Sequence, residues 1–168
     1  MSTIRIGRLL SSLTLAVIVI FSTGSTQADA RQSSALVLDA TTGRVLYSQA
    51  GDARRYPASL TKMMTLYLLF EDLEKGRVKL TDGLRVSAHA AAQEPVKLWL
   101  KPGETISVLQ AIRAVTILSA NDAAVVIGEN LEGTETAFAK RMTQTAHRLG
   151  MKNTRFQNAS GLPNREQY

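Results

Sequence analysis

Tyr56-Pro57-Ala58-Ser59-Leu60-Thr61-Lys62 is the stretch on which the fold turns. It sets a hydroxyl and an amine three residues apart where a helix is expected to begin. Residues i and i+3 share a helix face, so Lys62 can reach the Ser59 hydroxyl. A serine alcohol is a weak nucleophile until a base takes its proton, and a neutral lysine can be that base without any histidine. Just beyond, Leu60, Met63, Met64, Tyr67 and Phe70 recur at helical spacing, and Gly76 after Lys75 supplies a stop. Between Met63 and Phe70 the pattern is apolar on most sides, which predicts a central, buried helix with Ser59 at its tip. That tip is the positive end of the helix dipole, and the Ser59 amide is among its free N–H groups. Lys62, one turn further in, is expected to lose hydration, which moves a lysine from about 10.4 toward neutrality. A lysine base requires that tuning. The plainer reading makes Ser59 a helix cap and Lys62 a snorkelling surface lysine.

Toward the N-terminus, residues 34–40 read as a strand, Thr41-Thr42-Gly43-Arg44 as a turn and Val45 to Ser48 as the return strand of a hairpin. Toward the C-terminus the pattern is helical. Residues 88–93 give a weak helix, and Pro102-Gly103 marks a turn. Ser107 and Gln110 match a capping box ahead of a helix to Leu118 with a Leu109, Ile112, Val115, Leu118 stripe. Asp122 is expected to cap a helix from Ala123 to Leu131, and Thr134 to begin another that Gly150 closes. Two strands followed by a helical cluster define an α+β class. A lone hairpin is marginal in water, so the expectation is a fragment of a larger sheet-and-helix design.

The first 30 residues carry Arg5 and Arg8, an apolar run from Leu9 to Phe21 and Ala28-Asp29-Ala30, the pattern of a cleaved export signal. An uncleaved anchor is the alternative, but the run is short of the ~20 residues a spanning helix prefers. Residues 31–168 then form one domain, long enough to bury a core. The chain has a net charge of +6, with its positive residues scattered. No basic block and few aromatics argue against nucleic acid as a partner. A mildly basic surface suits an anionic envelope polymer or peripheral association with a membrane. Cysteine is absent, which excludes disulfides and thiol chemistry. The two histidines, His89 and His147, lack a ligand-like cluster, so no metal is expected.

A second constellation, Ser119-Ala120-Asn121, falls at a helix-to-helix break 57 residues after Lys62. Alone it reads more readily as a polar turn and cap than as a functional group. Together with Ser59-Leu60-Thr61-Lys62 it matches two of the motifs of penicillin-recognising enzymes. Pro57-Ala58, Lys101-Pro102-Gly103-Glu104, Ser119 to Ala124 and Asn158-Ala-Ser-Gly-Leu-Pro163 extend the likeness over residues 33–168. The chain resembles the serine D-alanyl-D-alanine carboxypeptidases among the low-molecular-mass penicillin-binding proteins. The resemblance implies a β-lactamase/transpeptidase-like fold, present here as its N-terminal hairpin and helical cluster without the later sheet strands. It makes residues 31–168 part of such a catalytic domain.

By the same resemblance Ser59 is the nucleophile that attacks a peptidoglycan stem peptide ending in D-Ala-D-Ala. Lys62 is the base, Ser119 relays a proton to the leaving D-alanine, and Asn121 binds the substrate amide and helps orient Lys62. β-Lactams would acylate the same serine, and no cofactor is implied. The departure is that no Lys-Thr-Gly follows Asn121. In the family that strand anchors the substrate carboxylate, supplies the second oxyanion-hole amide and covers the helices, so apolar surface is expected to lie bare. Two other readings remain at this point. One is a class A-like β-lactamase, although Ala120 replaces the usual aspartate and no deacylating glutamate stands out. The other is a truncated, non-catalytic wall-binding protein.

Overall fold

The computed structural model describes residues 33–168, so the leader expected over residues 1–30 lies outside the described residues. Strands β1 (Ala35–Leu38) and β2 (Val45–Gln49) form an antiparallel hairpin. Its turn is fixed by Asp39, whose carboxylate accepts from the Thr41 and Thr42 amides and from the Thr42 hydroxyl at 2.7–3.1 Å. The ladder slips between Val37 and Leu38. Leu36, Val37, Leu38, Val45, Leu46 and Tyr47 all stay exposed. Side chains alternate across a strand, so both faces of the hairpin carry exposed apolar side chains.

Helix α1 (Thr61–Glu74) follows, but it is not the buried axis that its pattern predicts. Met63, Tyr67 and Phe70 are 68%, 42% and 49% exposed. The buried face is instead Thr61, Lys62, Met64, Thr65, Leu68, Leu69 and Asp72. Helical spacing of apolar residues predicts the stripe, whereas the interior face is built around two threonines and two ionisable groups beside Met64, Leu68 and Leu69. Helix α3 (Val108–Arg113) shows the same rotation. Its inward side is Val108 and Ala111, continued by Ala114 and Val115, while Leu109 and Leu118 face outward. Small residues win these positions because the neighbouring helices come close.

The central helix is α4 (Asn121–Glu132), buried without interruption from Asn121 to Gly128. A β-carbon at Gly128 would sit 2.7 Å from the Phe138 ring of α5 (Glu135–Arg148), so this glycine sets the α4–α5 approach. Around α4 the core gathers Leu68, Leu69, Val86, Val108, Phe138 and Met142.

Two strands escaped the sequence pattern: β3 (Gly83–Arg85) and β4 (Thr105–Ser107), which pair antiparallel. Three residues are too few to show alternation. The pair is pinned from α4, where the Asn130 side chain donates to Arg85 O at 2.9 Å and accepts from Arg85 N at 3.0 Å. Between them, the short helix α2 (Ala88–Ala91) is capped by Ser87. The Ser107–Gln110 capping box forms as expected, and Thr134 caps α5 by accepting from Ala137 N.

Asp72 and Arg141 tie α1 to α5. Arg141 Nη1 donates to Asp72 Oδ2 at 2.8 Å and to Glu132 Oε1 at 2.7 Å, and Arg77 also pairs with Asp72. Burial raises the Asp72 carboxyl, but the Arg141 and Arg77 bonds outweigh it and hold it below the usual carboxylate range. Because its folded value is depressed, this contribution is complete above the unfolded value near 3.9 and is lost as pH falls through the folded one. Arg141→Ala is expected to destabilise by on the order of 3 kcal/mol at neutral pH, since a buried carboxylate loses a partner. The loss should shrink in acid, as urea unfolding at both pH values will show.

Candidate active site

Ser59 sits in a single 3₁₀ turn, Ala58–Leu60, that runs directly into α1. The preceding residue, Ala58, has φ +48°, the left-handed region that residues other than glycine rarely enter. Such strained positions cluster at working sites. Ser59 itself is exposed. Lys62 is on the inward side of the first turn of α1 and only 4% exposed. Its Nζ lies 3.3 Å from Ser59 Oγ and donates to Ser160 O at 2.7 Å. Burial pulls the Lys62 amine down to about 8. Near pH 7 roughly a tenth of it is therefore neutral, and a neutral Nζ can accept the Ser59 proton across the same contact.

Sequence reading missed what holds the amine. The loop Asn158–Leu162 folds back onto α1 and is braced internally by Asn158, whose side chain accepts from Gly161 N at 2.7 Å and donates to Leu162 O at 2.9 Å. Thr65 Oγ1 donates to Ala159 O at 2.7 Å, one helical turn from the Lys62–Ser160 bond. Gly161 has φ +88°, and a β-carbon there would lie 1.8 Å from Ala58 O. Only glycine lets this loop rest on the Ser59 turn. Gly161→Ala is expected to cost on the order of 2–4 kcal/mol through backbone strain and overlap, readable as a lowered denaturant midpoint. The signal in the sequence was limited to a Ser-Gly-Leu-Pro loop, because the contacts run through main-chain carbonyls.

The second constellation falls at a helix-to-helix break. After α3 the chain makes a π turn, Ala114–Leu118, that ends on Ser119 at φ +56°. Such turns are frequent at functional sites because they re-aim the following residue. Ser119 is half-buried, and Asn121 opens α4. Asn121 Nδ2 donates to Glu94 O at 2.9 Å and its backbone N to Val96 O at 2.8 Å. Asp122 is not the cap of α4: its buried carboxylate accepts from Leu98 N at 3.0 Å and Leu100 N at 3.3 Å. Together they clamp segment 94–100, on which Lys97 stacks over the exposed Trp99 ring at 4.7 Å.

Helices α1 and α4, which carry Lys62 and Asn121, pack against each other. Ser59 and Lys62 are joined directly. Among the described residues no hydrogen bond links Asn121 to Lys62, whose amine donates to Ser160 O. Among the described residues no group of acidic, histidine or cysteine side chains could hold a metal, and no helix is long and apolar enough to cross a membrane.

The hairpin, the helical cluster and a serine–lysine pair at the head of α1 define the N-terminal part of a penicillin-recognising serine hydrolase fold. Residues 21–168 match the D-alanyl-D-alanine carboxypeptidase family, and the chain belongs to it. It is 41% identical over 135 residues to the D-alanyl-D-alanine carboxypeptidase DacF of Bacillus subtilis, covering 80% of this chain and 35% of that protein. It is 39% identical over 151 residues to DacA of Escherichia coli, covering 86% of this chain and 37% of the relative. Among solved structures, the carboxypeptidase DacD of Francisella tularensis superposes with a TM-score of 0.78 at 36% identity, over 80% of this chain and 33% of that one. A penicillin-binding protein of Listeria monocytogenes in its ampicillin-bound form superposes at 0.65 and 32% identity, over 82% and 55%. The chain thus spans about a third of the length of the curated relatives it matches.

Proposed function

We propose that this chain carries the acylating apparatus of a serine D-Ala-D-Ala carboxypeptidase that trims peptidoglycan stem peptides. The observation that carries the reading is the buried Lys62 amine, shifted toward neutrality and 3.3 Å from the Ser59 hydroxyl. Ser59 Oγ attacks the carbonyl between the two D-alanines as its proton passes to Lys62 Nζ. Ser119 relays a proton to the departing D-alanine amine. Asn121 spends Nδ2 on Glu94 O, which leaves Oδ1 to accept the substrate N–H. Water then hydrolyses the ester. The route needs no metal or organic cofactor. The family resemblance assigns the carboxylate anchor and second oxyanion donor to a Lys-Thr-Gly strand that these 168 residues do not contain. The start of the chain, with Arg5, Arg8 and the apolar run, supports export to the cell envelope, where such a substrate resides.

Acylation tests this reading. Residues 31–168, joined in frame to the downstream part of DacF, are treated with penicillin and weighed intact. One covalent adduct on the Ser59 peptide is expected. An adduct elsewhere, or none, overturns the assignment. The 168-residue chain by itself is expected to label weakly, since losing one oxyanion donor already costs about 10²–10³ in rate.

A further inference from the structure

Glu135 is the first residue of α5, directly after the Thr134 cap. An acid at that position ordinarily serves the dipole of its own helix. Here the side chain is only 13% exposed, and both carboxylate oxygens are engaged elsewhere. Oε1 accepts from Ala159 N at 2.9 Å, and Oε2 pairs with His89 Nε2 at 2.6 Å. The next two carbonyls along the loop belong to α1: Ala159 O takes the Thr65 hydroxyl and Ser160 O takes the Lys62 amine, each at 2.7 Å. The Ala159–Ser160 backbone is thus gripped from opposite sides, by α5 through a carboxylate and by α1 through a hydroxyl and an amine. Both residues are buried, so water cannot replace a lost partner without opening the loop.

We propose that Glu135 is a positioning residue for Lys62: by anchoring the Ala159 amide it holds the Ser160 carbonyl on the lysine amine, and His89 fixes the carboxylate in that pose. The proposal rests on the reading of Lys62 as the base. His89 is well placed for the task. The Glu135 bond raises its ring above the ordinary histidine value, with Glu129 adding a weaker pull in the same direction. The Gln93 amide donates to His89 O at 3.1 Å and steadies the same turn of α2.

Two conservative substitutions separate positioning from charge. Glu135→Gln keeps an oxygen at the reach of Oε1 and an amide that can donate to the Nε2 of a neutral His89 ring, but removes the charge. Glu135→Asp keeps the charge at the start of α5 but withdraws it by one methylene from Ala159 N. The Lys62 side chain is followed by NMR of lysine-labelled full chain across a pH titration, with thermal unfolding to show that each variant folds. Positioning predicts that Glu135→Gln leaves the Lys62 midpoint where it is in the parent chain. Glu135→Asp should raise it by about one pH unit or more toward the ordinary 10.4, because the loosened loop admits water. An unchanged midpoint in Glu135→Asp, or an equal rise in both variants, overturns the proposal.

If Glu135→Asp does not fold, amide exchange in His89→Ala decides. Protection of Ala159 N–H should fall at least tenfold while the amides of α5 keep theirs, and no loss of protection refutes the anchor. A parent Lys62 that titrates near 10.4 sinks the base reading itself. A parent value near 8 with insensitive variants sinks only the role of Glu135.

Discussion

Ser59→Ala is expected to remove every penicillin adduct from the chimera with DacF, a loss of signal to background rather than a reduction. The reason is geometric. Ser59 is the hydroxyl within reach of the lowered Lys62 amine, and it stands exposed at the helix tip while that amine stays buried. The threonine hydroxyls at the head of α1 are committed or enclosed. Thr65 Oγ1 is spent on Ala159 O, and Thr61 is fully buried. The substitution removes one oxygen from an exposed position, so the unfolding free energy should change by less than about 0.5 kcal/mol. An adduct of undiminished yield in Ser59→Ala, found by intact mass and peptide mapping, would falsify the nucleophile.

Lys62→Met carries the second large effect. Removing a general base typically costs about 10²–10⁴ in rate, and the acylation rate of the parent chimera should rise with pH through about 8 as the amine loses its proton. The variant should lose both the rate and that rise. Stability gives an independent reading of the same group. Folded Lys62 titrates near 8 against 10.5 for an ordinary lysine, so between those values the unfolded chain binds more protons than the folded one. Stability must then increase with pH across that window, by up to about 1.4 kcal/mol per pH unit. Below pH 8 both states are protonated and the buried charge exerts its full penalty. Urea titrations of the 168-residue chain from pH 7 to 10.5 should show the slope in the parent and none in Lys62→Met. Equal slopes in the two would mean that the amine is hydrated and the base unassigned.

Much of this molecule was legible in its sequence, and the misses share a cause. The hairpin, the capping box at Ser107, the Thr134 cap and the Ser59–Lys62 spacing are local, set by residues within a few positions of one another. What failed depended on partners far along the chain. The helical spacing of apolar residues from Leu60 to Phe70 predicts an inward stripe, yet of these Met64 alone is buried, beside Thr61, Lys62 and Thr65: the Asn158–Leu162 loop, almost a hundred residues away, receives the hydrogen bonds of Lys62 and Thr65. Asp122 was read as a local cap, but it reaches back to Leu98 and Leu100. Strands β3 and β4 were invisible because Asn130 on α4 secures β3 from outside the ladder. In the candidate site, the Ser59–Lys62 quartet and the Ser119–Asn121 triplet could be seen, whereas the loop that seats the amine could not.

Lys62 is steered by the carbonyl of Ser160, an atom every amino acid at that place would supply. The nature of residue 160 therefore matters little to the amine, while the path of the chain through it matters a great deal. A scan that trims side chains one at a time would read only the hydroxyl's own bonds within the loop, to Asn158 Oδ1 at 3.4 Å and from Leu162 N at 3.3 Å. Moving the peptide plane itself, through a residue such as Gly161 that governs its course, is what would reveal the dependence.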